Sequence, residues 1–163
     1  MANILRPRFF DVLLKGSRRL STSGRSFADL NLTFASTARV FYENKVVRQV
    51  DVPTLTGRFG ILAEHVPTIG CLKPGIVTVT EEDGSVKNYF VSSGIVTVNS
   101  DSTVQVLAEE AATLDQLDSQ AIREGLTRAQ SELVSAQSEA AKAEAQIAAE
   151  AYEELSRAVE NRS

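Results

Sequence analysis

The stretch from Pro53 to Gly75, PTLTGRFGILAEHVPTIGCLKPG, constrains this chain more than any other. It holds three of the four prolines, four of the nine glycines, the only histidine and the only cysteine, within about one seventh of the length. Proline fixes φ at about −65° and removes a backbone donor, whereas glycine tolerates positive φ, so the stretch has to be turns and short strands of defined shape. It reads as a shaped surface, led into by a β domain and followed by segments that complete that domain and then turn helical.

A chain of 163 residues with 43% hydrophobic residues supports one ordinary core, or one small domain with a helical module attached. One cysteine forms no internal disulfide, and one histidine with one cysteine falls short of a zinc ligand set, which argues for a reducing or redox-indifferent compartment. Charge is unevenly placed. Residues 1 to 26 carry Arg6, Arg8, Lys15, Arg18, Arg19 and Arg25 against Asp11 alone, a net of +5, which leaves the rest of the chain at −9. An acidic body without a basic stripe argues against nucleic acid. The first residues are rich in Arg and Ser, and a helix would gather most of Ile4, Phe9, Phe10, Val12, Leu13 and Leu14 against an arginine face. That composition is expected of a mitochondrial or plastid transit peptide over residues 1–27, cut between Leu20 and Ala28. The alternative is a basic tail that stays on the mature protein. No stretch reaches the roughly 18 apolar residues of a membrane-spanning helix.

From Leu30, short runs rich in Val, Phe, Tyr, Ile and Thr alternate with turn residues about every ten positions, the pattern of an all-β sandwich or barrel over residues 28–112. The expected strands are Leu30 to Ala35, Ala38 to Tyr42, Val46 to Val52, Arg58 to Leu62, Ile69 to Lys73, Ile76 to Glu81, Val86 to Ser92, Gly94 to Asn99 and Thr103 to Leu107. Glu43-Asn44 and Asp83-Gly84 read as turns, the latter suiting a type I′ hairpin. Alternation of Val104 and Val106 with Thr103 and Gln105 predicts one buried face, and Ile95 to Val98 reads as fully interior. After Ala108 alanine takes over, and residues 113–163 read as a C-terminal antiparallel α-helical hairpin. Thr113 with Gln116 matches a capping box and Asp118 is a stronger N-cap. Ile122, Leu126, Ala129 and Leu133 form the stripe of the first helix; Ala140, Ala143, Ile147, Ala151, Leu155 and Ala158 that of the second, with Ser138 as its cap. Gly125 in mid-helix marks either a close crossing or simple tolerance.

No phosphate cradle, nucleophile elbow or HExxH motif is present. Glu64 and His65, read as strand neighbours, would point to opposite faces, and no motif places a nucleophile beside them, so a β-sandwich hydrolase is remote. Cys71 reads as a buried small hydrophobe. No catalytic, cofactor-binding or metal-binding residue is assigned, and a non-enzymatic β domain with a helical appendage is expected.

The runs VDVPTLTGRFGILAEHVPTIGCLKPG and YFVSSGIVTVNSDSTVQVLAEEA closely resemble the delta/epsilon family, the small central-stalk subunits of F-type ATP synthases. The resemblance covers about residues 31 to 160, and the basic amino terminus implies the mitochondrial branch. It implies a rotor subunit, peripheral on the matrix side of the inner membrane, that couples rotation of the proton-carrying ring through gamma to ATP synthesis in the catalytic head. The implied partners are the gamma subunit, the ring of c subunits and the very small mitochondrial epsilon subunit. Arg58, Phe59, Gly60, Ile61, Leu62 and His65 would face the ring and gamma, with Phe59 as an exposed aromatic anchor. Many bacterial relatives bind ATP through Leu-Asp-x-x-Arg-Ala. Here Leu117-Asp118-Ser119-Gln120 runs on into Ala121, which disfavours the alternative reading of a soluble ATP-binding regulator of the same fold. Arg58 likewise replaces a loop acid found in some bacterial forms.

Overall fold

The computed structural model describes residues 29–160. The expected transit peptide lies outside them. Ten strands precede two helices: β1 Leu30–Ser36, β2 Val40–Val47, β3 Gln49–Thr54, β4 Gly57–Ile61, β5 Thr68–Leu72, β6 Gly75–Thr80, β7 Val86–Val91, β8 Gly94–Val98, β9 Thr103–Ala108 and β10 Ala111–Thr113, then α1 Ser119–Ser135 and α2 Glu139–Glu160. The strands form one hydrogen-bonded sheet in the order β10-β7-β6-β3-β5-β8-β9-β1-β2, with β4 attached to β3 alone. The β1–β9 pair is parallel and the others are antiparallel. The sheet folds over as a sandwich on a core that includes Leu30, Leu32, Phe34, Val50, Val52, Ile61, Val77, Val79, Val96, Val104 and Val106.

Alternation builds that core. Along β1 the buried Leu30, Leu32 and Phe34 are separated by half-buried Asn31, Thr33 and Ala35, because successive side chains on a strand leave opposite faces. The same rule corrects the reading of β8. Val96 and Val98 are buried but Ile95 is 51% exposed, so this strand too has a solvent side.

Two turns also differ from expectation. At Asp83-Gly84 the Gly84 N–H donates to the Glu81 carbonyl (3.0 Å) and the Glu81 N–H to the Ser85 carbonyl (2.8 Å). Gly84 has φ +85° and Asp83 is not among the positive-φ residues, so the loop has three residues with a left-handed glycine and is not a type I′ turn. Glu43-Asn44 is no hairpin turn but part of β2, where pairing with β1 shifts register. Asn44 takes φ +46° there and its N–H donates to Thr33 Oγ1 at 3.2 Å. A local bulge satisfies the turn signal without ending the strand.

The last strand in the order, β2, is tied to β6 and β7 by Glu81. Its Oε1 accepts from Tyr42 Oη (2.9 Å) and pairs with Lys87 Nζ (2.8 Å), its Oε2 accepts from Lys45 Nζ, and Tyr89 Oη donates to Tyr42 Oη at 3.3 Å. The hydrogen bonds from Lys45 and then Lys87 hold the Glu81 carboxyl down to about 2 from an ordinary 4.5, against the burial that would raise it. Burial, with hydrogen bonds to Tyr89 and Glu81, pushes the Tyr42 phenol up.

The expected hairpin forms. Asp118 Oδ1 caps α1 by accepting from Gln120 N (2.8 Å) and Ala121 N (3.4 Å), and Ser138 Oγ accepts from Ala141 N (3.1 Å) at the start of α2. Thr113 makes no capping hydrogen bond; a 3-10 turn, Leu114–Gln116, follows it instead. The expected stripe of α2 is out of phase in its first half. Ala158 is buried as read, but Ala145 and Ala149 are buried where Ala143 is exposed and Ile147 is 65% exposed. Tyr152 sets the phase: a Cβ on Gly125 would fall 2.3 Å from its ring, so Gly125 marks a close crossing of the two helices.

Gly94 has φ +150°, and a Cβ there would stand 2.1 Å from the Leu107 carbonyl oxygen, which the β8–β9 pairing holds in place. Gly94→Ala is expected to cost about 2–4 kcal/mol in denaturant unfolding, against about 1 kcal/mol for Gly84→Ala, where a Cβ meets nothing within 4 Å. Because the folded Glu81 carboxyl titrates below its unfolded value, its contribution is complete above pH 4.5 and is lost as pH falls towards 2. Thermal unfolding between pH 6 and pH 2.5 should therefore show a steeper acid loss in the parent than in Glu81→Gln, whose stability at pH 6 is already lower.

Candidate protein interface

The proline- and glycine-rich stretch becomes the β3–β4 hairpin, a six-residue loop and β5. At the hairpin tip Thr54 Oγ1 donates to the Gly57 carbonyl at 2.5 Å, and Leu55 stands 74% exposed. In the loop after β4, the Glu64 N–H donates to Ser102 Oγ (3.0 Å) and the Nδ1–H of His65 donates to the Val66 carbonyl (2.8 Å). Glu64 has φ +60° and sits with His65 in a turn, not on a strand as read from the sequence. Among the described residues no group of His, Cys, Asp and Glu is arranged to hold a metal ion.

The six positions expected to face the ring and gamma do not share one surface. Arg58 Nη2 donates to Thr78 Oγ1 (2.8 Å), which donates on to Asn88 Oδ1 (2.9 Å), and the arginine lines a cleft of about 440 Å³ with Lys73 and, from α2, Glu154 and Arg157. Phe59 is not exposed at a turn. It lies within β4, half-buried against the core, its ring stacked on His65 at 5.9 Å between centroids. A Cβ on Gly60 would meet Asp51 Oδ1 at 2.8 Å, and Ile61 is fully buried, so neither offers a side chain to a partner. Leu62 is 53% exposed and His65 half-buried. The apolar signal of the segment is real, but strand alternation turns half of it inward.

A second surface went unread in the sequence. Gly70 and Leu72 face inward on β5, so Ile69 and Cys71 face outward, and Cys71 is exposed, not buried. The register sets Cys71 opposite Ile95, Ile95 opposite Leu107 and Leu107 opposite Ala35, a row across β5, β8, β9 and β1. One step along lies a second row, Ile69, Thr97, Gln105 and Thr33. In the sequence, period-2 patterning marks only Gln105 of these positions as outward, while Cys71 and Ile95 read as interior; the sheet order and register bring the rows together.

Residues 29–114, the strands, match the family described as the beta-sandwich domain of the ATP synthase delta/epsilon chain. Residues 117–158, the hairpin, match the C-terminal domain of the metazoan delta subunit of F1F0-ATP synthase. The mitochondrial ATP synthase subunit delta of Caenorhabditis elegans is 52% identical over 133 residues, covering 82% of this chain and 81% of that one. The protein of that name from Yarrowia lipolytica is 42% identical over 139 residues, covering 85% of each. Among solved structures, a chain of the Euglena gracilis mitochondrial ATP synthase, seen with OSCP, F1 and the c-ring, superposes with a TM-score of 0.75 at 29% identity, over 81% of this chain and 82% of that one.

Since Phe59 packs on the core, Phe59→Ala should lower the melting temperature of the isolated chain by several degrees, a loss of about 1–2 kcal/mol, readable by circular dichroism.

Proposed function

The chain belongs to the delta/epsilon subunit family of ATP synthases, and on that premise we propose that it is a non-catalytic subunit of the central stalk of the mitochondrial enzyme. It carries rotation between the ring of proton-carrying c subunits and gamma, and has no substrate of its own. The observation behind this reading is that both units of the chain, sandwich and hairpin, match the family in order and nearly end to end over the described residues. Identity of 52% over 133 residues to a mitochondrial delta subunit supports the mitochondrial assignment.

The geometry suits such a role. A subunit that transmits force needs a stiff body with contact surfaces, and the described residues supply a packed sandwich with two distinct exposed faces. Among them no helix is long and apolar enough to cross a membrane, so attachment on the matrix side of the inner membrane runs through gamma, the c-ring and the small epsilon subunit. At the segment 58–65, Leu62 and His65 supply the side-chain surface for the ring and gamma, while Arg58 lines the cleft beneath α2. Residues 1–27 act as a removable mitochondrial address, supported by their +5 charge and by the mitochondrial names of the relatives. Residues 28–112 and 113–163 are the two working units. Asp118, the one acid of the bacterial ATP motif retained here, is engaged as the cap of α1, which favours the stalk reading over a soluble nucleotide-binding regulator.

On a blue-native gel of mildly solubilised mitochondria the protein should migrate with the intact synthase, and sequencing of its mature end should start between Leu20 and Ala28. A small free species that retains Met1 would discard both role and address.

A further inference from the structure

We infer that Ser102 is a positioning residue for the stalk role: its hydroxyl holds the loop 62–67 in the one shape that presents Leu62, His65 and Val66 to the ring and gamma. The inference rests on the stalk reading and deepens it, from which side chains make contact to what keeps them in place.

Among the described residues three other than glycine have positive φ: Asn44, Glu64 and Ser102. Asparagine tolerates the left-handed region, whereas glutamate and serine enter it at a cost. Glu64 (φ +60°) and Ser102 (φ +61°) lie 38 positions apart, and a hydrogen bond joins them, from Glu64 N–H to Ser102 Oγ at 3.0 Å. Two strained residues that meet in this way mark a geometry that the surroundings impose on both.

Ser102 is the last residue before β9 in the loop 99–102. At a left-handed position of such a hairpin loop glycine is the ordinary residue. The turn itself closes without the serine hydroxyl. Asn99 N–H donates to the Thr103 carbonyl (2.9 Å), Asp101 Oδ1 accepts from Thr103 N–H (3.1 Å) and Thr103 Oγ1 (2.7 Å), and Asn99 Nδ2 donates to Thr103 Oγ1 (2.8 Å). What serine adds over glycine is one buried acceptor, and that acceptor serves Glu64.

The loop it reaches has otherwise only local support. It leaves from β4, which is bonded to β3 alone. The His65 N–H donates to the Leu62 carbonyl (3.2 Å), His65 Nδ1–H and Thr68 Oγ1 both donate to the Val66 carbonyl (2.8 Å each), and the His65 ring stacks on Phe59 of β4. Only the bond to Ser102 ties the loop to a distant part of the chain. Ser102 is fixed in its turn, since its carbonyl accepts from the Asn31 N–H of β1 at 3.0 Å. Leu62, 53% exposed, and Val66, 72% exposed, therefore stand on a brace that runs back to the sheet. A contact surface already in its bound shape loses less loop entropy on docking than one that must be ordered there.

Two substitutions separate the hydroxyl from the strain. Ser102→Gly removes both, and Ser102→Ala removes the hydroxyl alone. The isolated Ser102→Gly chain should melt close to the parent and Ser102→Ala below it, while in both the Glu64 amide should exchange with deuterium at least about tenfold faster. In mitochondria that carry either variant as the sole copy, a blue-native gel should show about tenfold more catalytic head detached from the ring than the parent shows. A role in folding alone would leave Ser102→Gly with parent-like ring retention. That result overturns the inference, as does an unchanged exchange rate at Glu64. If Ser102→Ala fails to fold, Ser102→Gly decides. Should the parent chain itself be absent from the synthase, the stalk reading fails and the inference with it, a result distinct from a parent that assembles beside variants that keep the ring.

Discussion

One buried carboxylate holds β2, the last strand of the sheet order, to β6 and β7. Among the described residues Glu81 is the only charged side chain in the buried set, and burying an isolated carboxylate costs several kcal/mol or more. Here the cost is offset on three sides, by Lys45 and Tyr42 from β2 and by Lys87 from β7. Both lysine side chains remain about half exposed, so they stay hydrated while they neutralise the acid. The clasp is backed by rings: Phe34 stacks on Phe41 at 4.8 Å, and Tyr89 meets both edge-on at 5.3 and 5.1 Å. With β2 pinned over β6 and β7, the sandwich closes on its core, and the outer surfaces of the strands acquire their places.

Much of this was legible beforehand, for identifiable reasons. Strand alternation is a local property, so β1 and β9 could be read from Leu30, Leu32, Phe34, Val104 and Val106, and the caps Asp118 and Ser138 act within one helical turn. What escaped depends on neighbours distant in sequence. Alanine surrounds α2, so its apolar period has no unique phase until Tyr152 meets Gly125 across the hairpin. Asn44 looks like a turn residue and serves as a bulge, because Thr33 on the adjoining strand receives its N–H. Cys71 reads as buried by its apolar neighbours, yet on a strand an apolar neighbour on either side argues for the opposite face.

The stretch from Pro53 to Gly75 shows why special residue types cluster without carrying chemistry. Its prolines and glycines shape a hairpin tip, a loop and a close approach, as where a Cβ on Gly75 would meet Pro53 at 3.0 Å. Within it, polar and apolar side chains are sorted by geometry into different tasks. Arg58 lines the cleft beside α2, Ile61 fills the core, and Ile69 and Cys71 contribute to the outer face. A function that consists of being held in several directions at once needs this sorting more than it needs a reactive group.

The unbroken ladder of strands has a mechanical meaning. A push on any strand of such a sheet is shared sideways through every hydrogen bond and packed side chain it adjoins, so the sandwich resists shear as one plate. The helical hairpin is joined to that plate by a short 3-10 turn and by packing on β6, a narrower seat than any of the long strand ladders. Stress put into the molecule at its stiff face would therefore be stored, as elastic strain, in the joint between plate and hairpin.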